Sequence, residues 1–258
     1  MRLIDAHCHL DFPVFDQCRD AVLGHAEAQG LSGLVIPGVE RRHWARVETV
    51  ASASPLLAYC LGIHPWFVRQ HAQEDLDALE ATLASRPHGC VALGECGLDR
   101  LHGSIEEQRP MFEAQVGIAR RTGFALVIHS VRAHDEVAAV LKRADLSQPV
   151  LVHGFSGSFQ QAGKLVDLGC YLGIGGVITY DRARKTRETV SKLPLDALVL
   201  ETDAPDMPPA GVEKGENSPE NLPRILDVLV SLRPESREQV QQALYRNTCR
   251  LYGWPEAG

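Results

Sequence analysis

The sequence predicts an α/β fold, a (β/α)8 TIM barrel, and three observations carry the prediction. Short runs rich in apolar and β-branched residues recur eight times along the chain. The segments between them repeat apolar residues at helical spacing. The length, 258 residues, matches the roughly 250 residues that eight such strand–helix units occupy. A doubly wound open sheet shares the alternation and is the runner-up.

The runs are, in order, "RLIDAHCH", "GLVIPG", "LLAYCLGIHP", "CVALGECG", "FALVIHS", "PVLVHGF", "CYLGIGG" and "ALVLETDAP". Each is short, apolar on both faces and closed by Gly, His or Pro, as expected of buried parallel strands. Ile105, Phe112, Val116 and Ala119 mark a helix after the fourth run, and Leu222, Ile225, Leu226 and Leu229 mark another after the eighth. Between the last strand and that helix, residues 203–223 read "DAPDMPPAGVEKGENSPENLP", a loop rich in Pro, Gly and Asn that starts where a barrel's active face lies. No repeat, low-complexity tract or linker breaks the rhythm, so residues 1–258 are expected to form a single barrel domain.

A hydrophobic content of 45% supports a sizeable core. No basic N-terminal segment precedes a long apolar run, so a soluble, cytoplasmic protein with no membrane segment is expected. The seven cysteines are scattered singly with no C-x-x-C pair, which argues against a disulfide framework and against a cysteine zinc cage. A net charge of −7 argues against a surface coated in positive potential for gripping duplex DNA along its length. It leaves room for a local basic patch that takes a strand end. Nothing in the chain points to an obligate protein partner.

The proposed strands end in a consistent chemistry. The first ends in His7 and His9, the fourth in Glu95, the fifth in His129, the sixth in His153 and the eighth in Asp203. A lone histidine or carboxylate at a strand end is ordinarily structural. In a barrel, however, these ends converge on one face, and His7 and His9, at i and i+2, point the same way. Four imidazoles and two carboxylates gathered there would be costly to bury without a cation. Six donors exceed what one tetrahedral ion needs and suit two divalent ions, with Glu95 as the bridge. No lysine ends any of these strands, so a carbamylated lysine is not available as the bridge. Imidazole-rich ligation favours zinc, manganese or iron over magnesium.

The stretches "DAHCHLD", "GECGLD", "IHS", "VHGFSGS" and "ETDAPDMP" resemble the TatD family of metal-dependent hydrolases, a branch of the amidohydrolase-like barrels. "HGFSGSFQQA" and "GGVITYDRARKTR" resemble its YjjV-like subgroup in particular, and the likeness runs through "NLPRILDVL" and "NTCRLYG". The resemblance implies that His7, His9, Glu95 and Asp203 hold one metal and that Glu95, His129 and His153 hold the second. It also implies deoxyribonuclease activity, trimming single-stranded DNA from the 3′ end. Two positions depart from the family pattern. Val131 stands where an arginine commonly follows, with Arg132 one step on, and Arg100 replaces an aromatic or aliphatic residue; both changes bear on substrate choice.

Basic residues fall in the loops after the strands: Arg41 and Arg42, Arg100, Arg132, then Arg182, Arg184 and Lys185. Singly they read as solvated charges; together they suggest a funnel for an anionic phosphodiester. His64, in "GIHP", is a candidate substrate contact, with a structural role as the even alternative. Glu201, two residues before Asp203, is expected to orient a ligand histidine. Ser156 lacks a nucleophile-elbow sequence, and "GIGG" lacks the third glycine of a dinucleotide fingerprint. The expected chemistry is two-metal phosphodiester hydrolysis in nucleic acid, with Asp203 also accepting the attacking water's proton. The rivals are hydrolysis of a small ester or amide, or of an aminoacyl–nucleic acid linkage, and a non-catalytic metal-binding role.

Overall fold

In the computed structural model, which describes residues 2–256, all eight expected strands form one parallel sheet in sequential order. They are β1 (Leu3–Asp5), β2 (Leu31–Pro37), β3 (Leu57–Leu61), β4 (Cys90–Asp99), β5 (Ala125–Val131), β6 (Val150–Val152), β7 (Cys170–Ile174) and β8 (Leu198–Leu200). The helices are α1 (Arg19–Ala28), α2 (Trp44–Ala51), α3 (Gln73–Ala84), α4 (Ile105–Thr122), α5 (His134–Ala144), α6 (Phe159–Val166), α7 (Arg184–Lys192), α8 (Leu222–Ser231) and α9 (Arg237–Tyr252). The fold is the (β/α)8 barrel. No helix among the described residues is long and apolar enough to cross a membrane.

Closure between β8 and β1 is made just beyond the regular strand ends. Ala6 N–H donates to Leu200 O, Asp203 N–H to His7 O and His9 N–H to Ala204 O, at 2.8 to 2.9 Å. Asp5 adds a side-chain stitch: its carboxylate accepts both the backbone N–H of Thr202 at 2.9 Å and its hydroxyl at 2.5 Å. The same bonds that close the barrel therefore fix His7, His9 and Asp203 beside one another.

Alternation along the strands divides the core in two. Ala6, Val35, Ala58, Cys60, Ala92, Val127, Leu151 and Val199 form one buried cluster, whereas their neighbours, such as Leu34, Ile36, Leu126 and Leu200, pack with the helices. This is the period-2 pattern of a filled barrel interior inside a helical layer. Small residues dominate the inner set because eight strands leave room only for closely fitted side chains. Tyr252, at the end of α9, joins this set and donates its hydroxyl to Ala6 O at 2.7 Å.

The helical expectations hold locally. Ile105, Phe112, Val116 and Ala119 are buried along α4, and Leu222, Ile225, Leu226 and Leu229 along α8. Ser104 caps α4 by accepting the Glu107 N–H, acidic residues occupy its first turn, and Gly123 ends it at φ +72°. Two buried glutamines on α4 reach the sheet. Gln115 accepts the Ile63 N–H at 2.8 Å and donates to Ile63 O at 2.9 Å, while Gln108 accepts the Asp99 N–H at 2.7 Å and donates to Asp99 O at 2.9 Å. Each amide supplies the donor and acceptor that a neighbouring strand would otherwise give. The loop after β8 runs as expected, through a 3₁₀ turn at Pro219–Asn221 into α8.

Candidate metal centre

The C-terminal ends of the strands bring His7, His9, His64, Glu95, His129, His153 and Asp203 into one buried cluster. Glu95 lies at its centre, and its two oxygens face different neighbours. Oε2 is 3.3 Å from His7 Nε2 and 3.5 Å from His9 Nε2, and the same two nitrogens lie 3.4 and 3.5 Å from Asp203 Oδ1. Oε1 is 2.8 Å from His153 Nε2, 3.0 Å from His129 Nδ1 and 3.2 Å from His64 Nε2. One carboxylate thus divides the cluster into two groups of donors.

Close backbone packing makes this possible. Gly97, at φ +142°, lies so near the β5 backbone that a Cβ would run into His129 O. The glycine in "GECG" therefore sets how near the strand carrying Glu95 comes to the strand carrying His129.

Polar satisfaction tests whether these residues suit a cation. His7 Nε2, Glu95 Oε2 and Asp203 Oδ1 are buried without a hydrogen-bond partner although they face one another. Buried polar atoms are ordinarily paired, and three unpaired lone-pair donors converging from two carboxylates and an imidazole fit a shared cation. Charge gives the same reading. Burial pulls His7 down to about 4 and His9 to about 3, so both favour the neutral, ligating form. Burial, with Glu95 and Glu201 nearby, raises Asp203 well above the carboxylate range. Burial would raise Glu95 too, but the imidazoles of His153, His64 and His7 and the hydrogen bond from His129 hold it far below. For His129 the burial effect is likewise overcome, by hydrogen bonds to Asp99 and Glu95, and the imidazole is pushed up to about 9. The Glu95 shift expresses one demand: this buried carboxylate needs positive charge beside it. The residues fit divalent metal.

The remaining expected site residues are distributed as follows. His64 is inside the cluster, where its Nδ1 also accepts the Trp66 N–H at 3.2 Å. Glu201 is fully buried; its Oε1 accepts the Gly154 N–H, and His153 Nδ1 is 4.0 Å away, beyond hydrogen-bond reach. It therefore fixes the backbone after His153 rather than the imidazole directly. Arg132, Arg182, Arg184 and Lys185 are exposed, and among the described residues none has an ion-pair partner, although Arg182 lies over the Tyr180 ring at 4.8 Å. The other basic loop residues are neutralised: Arg41 pairs with Asp75, Arg42 with Glu40 and Arg100 with Glu136.

Sequence reasoning missed Asp99. This buried carboxylate, at the end of β4, accepts from Trp66 Nε1 at 2.6 Å and from the Leu101 N–H at 2.8 Å, and it meets His129 Nε2 at 3.2 Å and His102 Nδ1 at 3.1 Å. A proton on His129 Nε2, donated to Asp99, leaves Nδ1 free to face Glu95 Oε1. Its only sequence signal was its place at the end of "GECGLD".

A family model described as TatD related DNase matches residues 4–253. The chain is 43% identical to the uncharacterized metal-dependent hydrolase YjjV of Escherichia coli (strain K12), covering 98% of this chain and 99% of that one. The crystal structure of E. coli YjjV superposes with a TM-score of 0.95 over 98% of this chain and 99% of that chain. The 3'-5' ssDNA/RNA exonuclease TatD of Klebsiella pneumoniae (strain 342) is 30% identical over 97% of this chain and 98% of its own. Matched almost end to end by the family model and by YjjV, the chain belongs to the TatD family.

Proposed function

We propose that the protein is a two-metal hydrolase of phosphodiester bonds in nucleic acid, acting as a 3′–5′ exonuclease on single-stranded DNA in the cytoplasm. The observation that carries this is the division of Glu95, with Oε2 toward His7 and His9 and Oε1 toward His129 and His153. A carboxylate shared between two donor groups suits the paired ions of an in-line displacement. The name of the K. pneumoniae relative supports a single-stranded nucleic acid as substrate.

In this reading His7, His9, Asp203 and Glu95 hold one divalent ion, and His129, His153 and Glu95 hold the other; zinc, manganese, iron and magnesium are the candidates. Bound there, the ions would supply Lewis acidity to the phosphoryl group and lower the pKa of the attacking water. Asp203 accepts that water's proton. Glu201 holds the backbone after His153, and Asp99 orients His129. His64 contacts the substrate from the Oε1 side of Glu95, and Arg132, Arg182, Arg184 and Lys185 receive the phosphates of the strand. Residues 1–258 act as one catalytic unit.

The test is product length over time from a single-stranded DNA oligomer labelled at its 5′ end, with metal-stripped protein reconstituted in manganese and Asp203→Asn alongside. The expected result is a ladder shortening stepwise from the 3′ end, absent in the variant. An intact oligomer, from protein carrying two metals, would overturn the nuclease reading and direct the search to ester, amide and aminoacyl linkages.

A further inference from the structure

Trp66 sits in the 3₁₀ turn Pro65–Gln70 that follows β3, and it is 48% exposed although the neighbouring His64 and Asp99 are buried. Its indole is not loose. Nε1–H donates to Asp99, His64 meets the ring edge-on with centroids 5.1 Å apart, and His102 lies 4.1 Å away at an interplanar angle of 33°. The centroid of His129, which borders Glu95 Oε1, is 6.3 Å distant. The neighbouring Leu101 is 57% exposed, its backbone N–H tied to the same Asp99. A large aromatic surface is thus held open to solvent at the rim of the cluster, with its orientation fixed by a carboxylate that also holds one of the cluster's imidazoles.

Packing does not require this arrangement. An indole serving only the core would bury its ring, whereas this one is about half exposed while its Nε1–H is held by the buried Asp99. A rigid, half-open aromatic ring beside a phosphodiester site is what an unstacked nucleobase binds: stacking is tolerant of base identity and requires a base that is free of its own duplex.

We propose that Trp66 is the stacking platform for a nucleobase at the 3′ end of the substrate strand, so that it makes the enzyme selective for single-stranded, base-bearing ends. This rests on the nuclease reading above and names a contact that reading leaves open. Trp66 acts on the bound base and takes no part in the proton transfers.

The test compares two 5′-labelled single-stranded oligomers, identical except that the 3′-terminal nucleotide of one is a tetrahydrofuran abasic analogue. Wild type, Trp66→Phe and Trp66→Leu are measured in manganese, with metal content and Tm recorded for each. Wild type is expected to favour the base-bearing end by on the order of 10-fold in kcat/KM, Trp66→Phe to keep most of that preference and Trp66→Leu to lose it. An unchanged preference in a folded, metal-loaded Trp66→Leu would overturn the proposal. If wild type cleaves neither oligomer, the nuclease reading fails by itself and intrinsic fluorescence decides the platform. Quenching by the base-bearing oligomer that disappears in Trp66→Phe supports it; quenching that is absent in wild type, or persists in the variant, overturns it.

Discussion

Gly173 and Glu201 share one space: a Cβ added to Gly173 would overlap the carboxylate of Glu201, which from there accepts the Gly154 N–H beside His153. The missing side chain on β7 is thus part of how the backbone after His153 is held. Gly173→Ala is expected to destabilise the fold by about 1–3 kcal/mol through overpacking and to weaken metal binding by roughly 10- to 100-fold by displacing Glu201. Urea unfolding and metal titration check both. A variant with wild-type midpoint and affinity would show that the position of Glu201 does not matter.

Because Glu95 faces both donor groups, its loss should not resemble the loss of a residue that faces one. Glu95→Gln is expected to deplete both ions after dialysis. Asp203→Asn, which replaces a carboxylate lying 3.4 and 3.5 Å from His7 and His9, should retain the ion among His129, His153 and Glu95. Metal content per chain by atomic emission distinguishes the two. Retention of a full complement by Glu95→Gln would rule out a bridging carboxylate.

The basic loop residues separate into paired and unpaired groups, and salt dependence should follow that division. Replacing Arg182, Arg184 and Lys185 by alanine is expected to lower the slope of log KM for single-stranded DNA against log salt by about 2, since each phosphate contact contributes about 0.7. Arg41→Ala and Arg42→Ala should leave the slope unchanged. Equal slopes in wild type and the triple variant would remove the funnel.

His134 gives a pH effect away from the metal cluster. The imidazole is buried, its Nε2–H donates to Ser156 O at 3.1 Å, and its Nδ1 accepts the Ser130 hydroxyl at 2.7 Å. Burial lowers its pKa, against the weaker opposing influence of the Ser156 carbonyl and of Asp135 and Glu136. The unfolded chain therefore takes up a proton that the native state resists. This contribution to stability is complete above the unfolded value of about 6.5 and is lost as the pH falls below it. His134→Gln should be less stable than wild type at pH 7, with a smaller further loss on going to pH 5.5. Parallel stability curves, from urea unfolding at both pH values, would refute this.

The strands and the cluster were legible for the same reason. A parallel strand buried on both faces reads as a continuous apolar run, and the polar residues that interrupt or follow the run mark the barrel's open face: Glu95 and His129 inside β4 and β5, which continue past them to Asp99 and Val131, and Asp203 three residues beyond β8. Asp99 was not legible, because its importance depends on β4 continuing beside β5 as far as Val131 and on a turn that returns Trp66 to it. Neither circumstance leaves a periodic trace. The pairing of Arg100 with Glu136 and of Arg41 with Asp75 was also hidden, since each partner is more than thirty residues away and lies on another element. Glu201 was legible as a partner of a ligand histidine, but not which one, nor that its hydrogen bond goes to the Gly154 N–H beside His153, because that contact joins two strands far apart in the chain.

The two glutamines of α4 carry a consequence for the site's dimensions. Gln108 and Gln115 are seven residues apart on one helix, which places them about 10 Å apart along its axis. Through Asp99 and Ile63 they grip the two walls that bear the indole's carboxylate anchor and His64. The spacing of those two anchor points is therefore about two helical turns, set by backbone geometry and insensitive to loop length, and α4 is the ruler that fixes where Asp99 and the turn bearing His64 stand relative to each other.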